Sequence, residues 1–462
     1  MNFMPVLLWT DLLVYLLVAG LIGFIVVVRR HEHLAAPWRR VARDPTAMAA
    51  AAVLSAFVLV ALIDSVHYRP ALPPQEGAPV DAPRHYAPEV KSLLDAVLDP
   101  IVRRQEKSYS APFATHLFNK EATVLEDGRT LRVHPRLAHG GAHLADPDRD
   151  KTADIVQRAS LGLLLGFMLW LPVHLLLRHR LRRADPEARR AGRAASAALL
   201  GLMLLVGALA LLATHYHVLG TDKVGQDVLY ISLKSIRTGV LIGALTTLIT
   251  LPLAISLGVT AGYFGGRVDD AVQYLYTTLN AIPGVLLIAA AVLILQTQLE
   301  THPEWFETGT ERADLRLLFL CIILGMTSWT GLARLLRGET LKVRELDYVV
   351  AARAFGVSDG RILMRHILPN VQHIVLIAVV MDFSALVLAE AVLSYVGVGV
   401  DPSMASFGNM INGARLELAR EPVVWWQLGA AFAFMFTLVL AANLLADSIR
   451  DALDPRARRA SA

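Results

Sequence analysis

Two carboxylates stand inside one apolar run, Asp382 and Glu390 in "VLIAVVMDFSALVLAEAVLSYV". Eight residues of helix set them about 80° apart, on neighbouring faces. A charge at the centre of a bilayer costs roughly 2.5–3.5 kcal/mol on insertion scales, so such groups turn towards a cavity or a partner. Facing a cavity, they would attract a cationic group. Alternatively they bond internally to Arg or Asn of neighbouring helices, and both readings stand. Asn280, Pro283 and Asn443 are further polar or kinking positions in apolar runs. Helix–helix bonding is the expected work of these positions, with Asn280 and Asn443 also candidates to face such a cavity. Asp11, in the first run, is expected to reach back to the outer interface.

Other groupings invite chemistry with less support. "HEH" at residues 31–33 sits among arginines and reads as a solvated or headgroup-facing segment. His134, His139, His143 and Asp146 are of types that bind zinc or nickel, but their spacing matches no closed ligand set, so no metal site is assigned. No Ser-His-Asp or Cys-His arrangement is evident. There is no G-x-x-x-x-G-K-[ST] loop to cradle nucleotide phosphates, so the chain is not its own ATP-driven motor. The single cysteine, Cys321, allows no internal disulfide.

The elements carrying these residues are membrane helices. Hydrophobic residues are 55% of the chain, above the roughly 45–50% of soluble domains, and mean hydropathy is +0.48. A span needs about 20 apolar residues. Nine runs qualify, centred on 6–28, 46–63, 155–177, 195–213, 239–262, 279–297, 315–333, 371–396 and 426–446. The first is too long for the apolar part of a signal peptide and lacks a small-residue cleavage pattern.

Every second connection is basic, save the short, nearly neutral "GGRVDD" after run 5. Arginines follow run 1 (Arg29 to Arg43), run 3 (Arg178 to Arg193), run 7 (Arg334 to Arg365) and run 9 (Arg450 to Arg459). Basic loops stay inside, so the N-terminus is expected outside and the C-terminus in the cytoplasm of a bacterial inner membrane. Net charge is only +4, and the cations lie beside membrane spans, which argues against nucleic acid as a partner.

The expected fold is an all-α polytopic membrane protein of about nine transmembrane helices with a small α+β extracytoplasmic insertion. Residues 1–63 hold two N-terminal spans and 64–153 the outer insertion. Residues 154–194 hold a third span with a basic loop, 195–456 a six-helix core, and 457–462 a tail. Within 64–153 a Pro-rich stretch opens the segment. Val90, Leu93, Leu94, Val97 and Leu98 have helical spacing, with Pro88 suited to the first turn. "ATVLEDGRTLRV" reads as a hairpin turning at Asp127-Gly128.

Between runs 7 and 8 a polar stretch, "VAARAFGVSDGRILMRHILPN" (350–370), still reads as helix. Leu346, Val349, Ala352 and Phe355 make one apolar stripe. Gly356 suits the left-handed residue that closes a helix, Ser358 an N-cap and Asp359 the positive end of a second helix. Pro369 is expected to stop that second helix. On periodicity alone this is also what an amphipathic loop at the lipid interface looks like.

Ala351, Ala352, Gly356, Leu368 and Pro369 stand where the EAA loop of ABC importer permeases has Glu-Ala-Ala, three residues, Gly, and a distal Leu-Pro. Val350 replaces the usual Glu, with Glu345, Asp347 or Arg353 as possible substitutes. "HVLGTDKVGQDVL", "AGYFGGRVDD", "NAIPGVLL", "LAEAVLSYVGVGV", "FGNMI" and "DSIRDALDPR" occur in the same order as in the dipeptide/oligopeptide subfamily. Gln226 stands where that family often has Arg. Residues 217–456 therefore resemble that permease family, with 1–194 as an N-terminal elaboration. Glu390 lies in one of the matching stretches, which favours packing over substrate choice.

The resemblance implies a transport subunit, not an enzyme. It implies a second related permease, two ATPase subunits or domains carrying ATP and Mg, an extracytoplasmic solute-binding protein, and no cofactor in this chain. The coupling loop would be 338–370, with Glu345, Asp347, Val350, Ala351, Ala352, Arg353, Gly356, Ser358, Asp359 and Pro369 against the ATPase. Two other readings remain: a membrane-anchored sensor binding its ligand through 64–153, and a relative importing nickel or another solute.

Overall fold

The computed structural model describes residues 3–72, 85–124, 130–306 and 308–453. In chain order they form β1 (Phe3–Val6), α1 (Trp9–Arg30), α2 (Glu32–Val41), α3 (Pro45–Asp64), β2 (His67–Pro70), β3 (Lys91–Ser92), α4 (Leu93–Val97) and α5 (Asp99–Val102). Then come β4 (Glu121–Val124), β5 (Thr130–Val133), α6 (Pro147–Leu181), α7 (Pro186–Ala213), α8 (Val228–Phe264), α9 (Gly266–Ala281) and α10 (Gly284–Thr301). The series ends with α11 (Gly309–Val343), α12 (Asp347–Ala354), α13 (Asp359–Ile362), α14 (Leu368–Val396), α15 (Phe407–Arg415) and α16 (Trp426–Leu453). Among the described residues nine helical stretches are long and apolar enough to cross a membrane: α1, α3, α6, α7, α8, α10, α11, α16 and the continuous Asp359–Val396. Each overlaps one of the nine runs expected from hydropathy.

The chain divides into two compact units. One comprises Met1–Asp11, Arg39–Val240 and Pro402–Ala441. Its small sheet runs β1-β2-β3, antiparallel, with Val6 opposite His67 and His67 opposite Ser92. β4 and β5 form the expected hairpin, Glu121 opposite Val133, while the Asp127-Gly128 turn lies outside the described residues. The helix expected from Pro88 onward starts only at Leu93. Ser92 caps it, accepting from the Asp95 amide and donating its own amide to the Asp95 carboxylate. The Ser-x-x-Asp capping box outweighs the apolar periodicity upstream, and Lys91–Ser92 pair as strand instead.

In the same unit α6 and α7 touch backbone to backbone. A methyl group on Gly166 would meet the Met203 carbonyl oxygen at 2.2 Å, and one on Gly162 the Gly207 carbonyl at 2.5 Å. Small residues at four-residue spacing permit this approach, which in lipid supplies the dispersion contact that apolar burial cannot.

Three charge networks tie the segment before residue 217 to residues from 217 onward, two of them through α8. Arg237 on α8 donates to Asp11 Oδ1 at 2.7 Å and to Thr10 Oγ1 at 2.9 Å, and His67 Nδ1 lies 2.7 Å from Asp11 Oδ2. One turn earlier on α8, Lys234 reaches Asp64 at 2.7 Å, Ser92 at 3.1 Å and Asp95 at 3.2 Å. His217 lies between Asp227 at 2.8 Å and Glu106 at 3.4 Å, and Glu106 also accepts the amides of Ala138, His139 and Gly140. Asp11 thus does not reach the interface as expected. It is 0% exposed, because Arg237 and His67 satisfy its carboxylate in the interior.

The second unit comprises Leu12–Trp38, Leu241–Asp401 and Ala442–Ala462. Its core gathers Tyr263, Val272, Tyr276, Trp329, Leu336 and Val343 with Val349, Ile362, Ile367 and Val371. The sixth expected run, 279–297, contains a break. α9 ends at Ala281, and Pro283 is the N-cap of α10, so the proline begins a helix rather than kinking one. Pro369 likewise differs from expectation. It does not stop a helix, because α13 continues through a π turn at Leu363–Ile367 directly into α14. The Leu368 amide bonds back to Leu363, and Asn370 Nδ2 takes the His366 carbonyl at 2.6 Å. The wider turn and this side-chain donor accommodate the ring that would otherwise break the ladder.

Candidate functional site: the elbow between α11 and α14

α11 ends at Val343 with Arg344 as its cap, and Arg344 Nη1 also donates to the Gly262 and Tyr263 carbonyls at the end of α8. α12 follows. It closes with a Schellman motif: the Gly356 amide bonds to Arg353 and the Val357 amide to Ala352. Gly356 has φ 73°, as the closing residue requires, and a methyl group added there would meet nothing within 4 Å. Ser358 is the N-cap of α13 by backbone position, without a side-chain cap bond.

The expected apolar stripe divides in two. Val349 is fully buried and Ala352 packs beside it in the core, with Val357 from the turn. Leu346 and Phe355 face outward, Phe355 at 87% exposure. The reason is the clamp on the other side of α12. Tyr263 Oη donates to Asp359 at 2.6 Å, and the Arg353 guanidinium stacks over the Tyr263 ring at 5.1 Å. One tyrosine thereby holds both arms of the elbow. Tyr348 and Asn370 add a 3.0 Å bond between α12 and α14. Beside the clamp, Arg337 on α11 grips Asp269 on α9, with Nη2 to Oδ2 at 2.6 Å. That hydrogen bond outweighs the opposing burial and holds the Asp269 carboxyl below its ordinary value.

The outer face combines apolar and charged groups. Leu346, Val350, Phe355 and Met364 are exposed, and so are Asp347, Ala351, Arg361 and Arg365. Of the three candidate substitutes for the missing Glu, Glu345 is held by Arg344 at 2.9 Å and Arg353 lies over Tyr263. Asp347 is exposed, and no side-chain bond to it occurs among the described residues.

Among the described residues no hydrogen bond joins any two of Asn280, Asp382, Glu390 and Asn443. Asn280 bonds to Thr330 Oγ1 at 3.2 Å, a link between α9 and α11. Glu390 is buried and accepts from Ser394 at 2.7 Å, in keeping with packing. Asp382 is half-buried and has no hydrogen bond or ion pair among the described residues, and Asn443 is exposed. No group of three or more His, Cys, Asp or Glu side chains able to hold a metal occurs among the described residues. In the segment 85–154 His134 contacts the Leu117 carbonyl and His143 contacts Asp154.

Sequence reasoning missed Tyr263, Arg344 and Asn370. The signal for Tyr263 was its place in "AGYFGG", in an aromatic pair ahead of two glycines with positive φ at the end of a span.

Residues 254–459 match the family described as "Binding-protein-dependent transport system inner membrane component". Over 242 residues the chain is 32% identical to the oligopeptide transport system permease protein OppC of Mycobacterium tuberculosis, covering 52% of this chain and 77% of that protein. This chain belongs to that permease family. It is also similar to the dipeptide transport system permease protein DppC of Bacillus subtilis, 29% identical over 53% of this chain and 70% of the relative. A third relative is the glutathione transport system permease protein GsiD of Pectobacterium atrosepticum, 33% identical over 52% of this chain and 73% of the relative. The permease elbow described above lies wholly inside the matched family region. The networks at Asp11, Asp64 and Glu106 contribute residues from before it.

Proposed function

We propose that this permease forms part of the membrane pathway of an ATP-driven importer for peptides or solutes of similar size. The relatives' names, two for peptides and one for glutathione, support that substrate class. Separate ATPase chains bind ATP and Mg²⁺, and one of them seats the elbow 345–369 in a surface cleft. A second, related permease completes the path, and an extracytoplasmic binding protein delivers the solute. The N-terminus faces outward and the elbow faces the cytoplasm.

The observation that carries this reading is the elbow's two-sidedness. Its inner side is fastened by the core at Val349 and by the Tyr263 clamp, while its outer side presents Val350, Phe355 and Met364 to solvent within a rim of charge. An apolar patch rimmed by polar groups marks an interaction surface. A fastened elbow passes on displacement that a flexible loop would absorb. Small Ala351 lets a partner approach closely, and Asp347 offers the free carboxylate that Val350 lacks.

Reconstitution tests the proposal. Liposomes carrying both permeases and the ATPases should accumulate peptide only with ATP inside and binding protein outside. Accumulation by this chain alone would refute it. Within such a complex, Asp382 is the path residue whose carboxylate is available to a solute ammonium group, and Asp382→Asn should raise the KM for peptide more than it lowers the maximal rate.

A further inference from the structure

The hairpin between α6 and α7 carries charge that no carboxylate among the described residues neutralises. Arg178, Arg182, Arg189, Arg190 and Arg193 line one cavity of about 670 Å³. Among the described residues no carboxylate pairs with any of these guanidinium groups. Arg193 reaches only the Arg189 carbonyl, at 3.4 Å. The two nearest carboxylates in sequence are occupied or turned away. Asp185 is bound to Arg43 at 2.9 Å, and Glu187 is exposed and pairs with none of the five. Asp185 also fails to cap α7 with its side chain, so amides of the first turn remain open. Like charges four residues apart on a helix repel, and here two such pairs, 178/182 and 189/193, share one rim.

The cavity wall is not uniformly polar. Leu177 and Leu181 contribute an apolar side. His174 stands at its membrane end, bonded to Ser196 Oγ at 2.8 Å and stacked on Trp170 with ring centroids 4.4 Å apart. The volume falls within the roughly 300–1,000 Å³ of small-molecule sites, more than a lone phosphate fills.

We propose that this cavity binds the headgroup of an anionic phospholipid carrying two phosphodiesters, of the cardiolipin type. Arginines fork onto phosphate oxygens, and five of them suit two phosphates. The leucine wall receives the glycerol carbons and the first methylenes of the chains. Basic pockets between membrane helices are where such headgroups bind. A soluble diphosphate shares the charge but would leave the leucine wall unused.

Native mass spectrometry of the detergent-purified full chain provides the test, with cardiolipin, phosphatidylcholine and inorganic pyrophosphate as probes. Cardiolipin should remain bound and phosphatidylcholine should not. Each of Arg182→Gln, Arg189→Gln and Arg193→Gln should weaken cardiolipin binding about fivefold, and the three together on the order of a hundredfold. The single variants and a size-exclusion profile matching the parent guard against misfolding, and Arg189→Lys should retain most of the binding. Two results would overturn the proposal: cardiolipin retention unchanged in the triple variant, or pyrophosphate held by the arginines with no preference for cardiolipin over phosphatidylcholine.

Discussion

The carboxylate of Asp11 lies 2.7 Å from the guanidinium of Arg237, with both side chains almost fully buried although they stand 226 positions apart in sequence. Arg237 sits in α8, which runs into the matched family region at residue 254, and Asp11 in the first helix of the N-terminal elaboration. A cation within a span is costly until paired, and here the elaboration supplies the anion. The N-terminal segment is therefore part of the folded permease.

Removing one partner of a buried pair leaves the other uncompensated, at about 3–5 kcal/mol. Asp11→Leu alone should lower the thermal midpoint of the solubilised permease strongly. Asp11→Leu combined with Arg237→Leu should regain most of the loss. Equal damage in the single and double variants would show that the pair does not set stability.

His217 predicts a pH dependence. Burial alone would lower its pKa, but hydrogen bonds to Asp227 and Glu106 prevail and raise it from 6.5 to about 9. Its folded-state value is raised, so its contribution is complete below pH 6.5 and is lost as pH climbs through 9. Burial also opposes the shift at Glu106, where His217 and three backbone amides hold the carboxyl at about 2 instead of 4.5. That contribution is complete above pH 4.5 and disappears as pH falls through 2. Thermal midpoints from pH 6 to 10 should decline for the parent, by on the order of 3 kcal/mol in stability. His217→Gln should be less stable at pH 6 and flatter across the range. Parallel profiles would contradict the assignment.

Gly356 isolates conformation from packing, because a methyl group there meets no neighbour. Holding a β-branched residue at its φ of 73° costs about 1–2 kcal/mol. Gly356→Val should reduce transport-coupled ATP hydrolysis in the assembled complex, while Gly356→Asn, which tolerates this conformation, should retain most of it. Full coupling in the valine variant would remove the turn from the mechanism.

The nine spans were legible because hydropathy over about 20 residues is a long signal, and Gly356 because positive φ favours one residue type. Asp11 was misjudged because a single carboxylate in an apolar run reports its cost and says nothing about a partner 226 residues away. Pro369 was misjudged because a π turn and the Asn370 side chain lie outside what proline's own preference predicts. Period alone puts Phe355 on one stripe with Val349 and leaves open what the stripe packs against, and the Tyr263 clamp, formed between segments 96 residues apart, sets which side of α12 faces out.

Exchanging the free carboxylate of the elbow tests its role separately. Asp347→Asn should weaken association with the ATPase and lower coupled hydrolysis severalfold, leaving the permease's own thermal midpoint within about 0.5 kcal/mol in stability, as for other exposed positions. Glu345→Gln, whose carboxylate Arg344 already occupies, should have less effect. The reverse order would misassign the contact.

Cross-linking at Phe355 tests the central claim most directly. Cys321, the only native cysteine, is 0% exposed, so a Phe355→Cys chain presents one reactive thiol. In membranes containing the whole complex, a bifunctional thiol reagent should join residue 355 to an ATPase subunit, and a membrane-impermeant reagent added from outside should leave it unmodified. Labelling from the outside, with no ATPase adduct, would contradict the account.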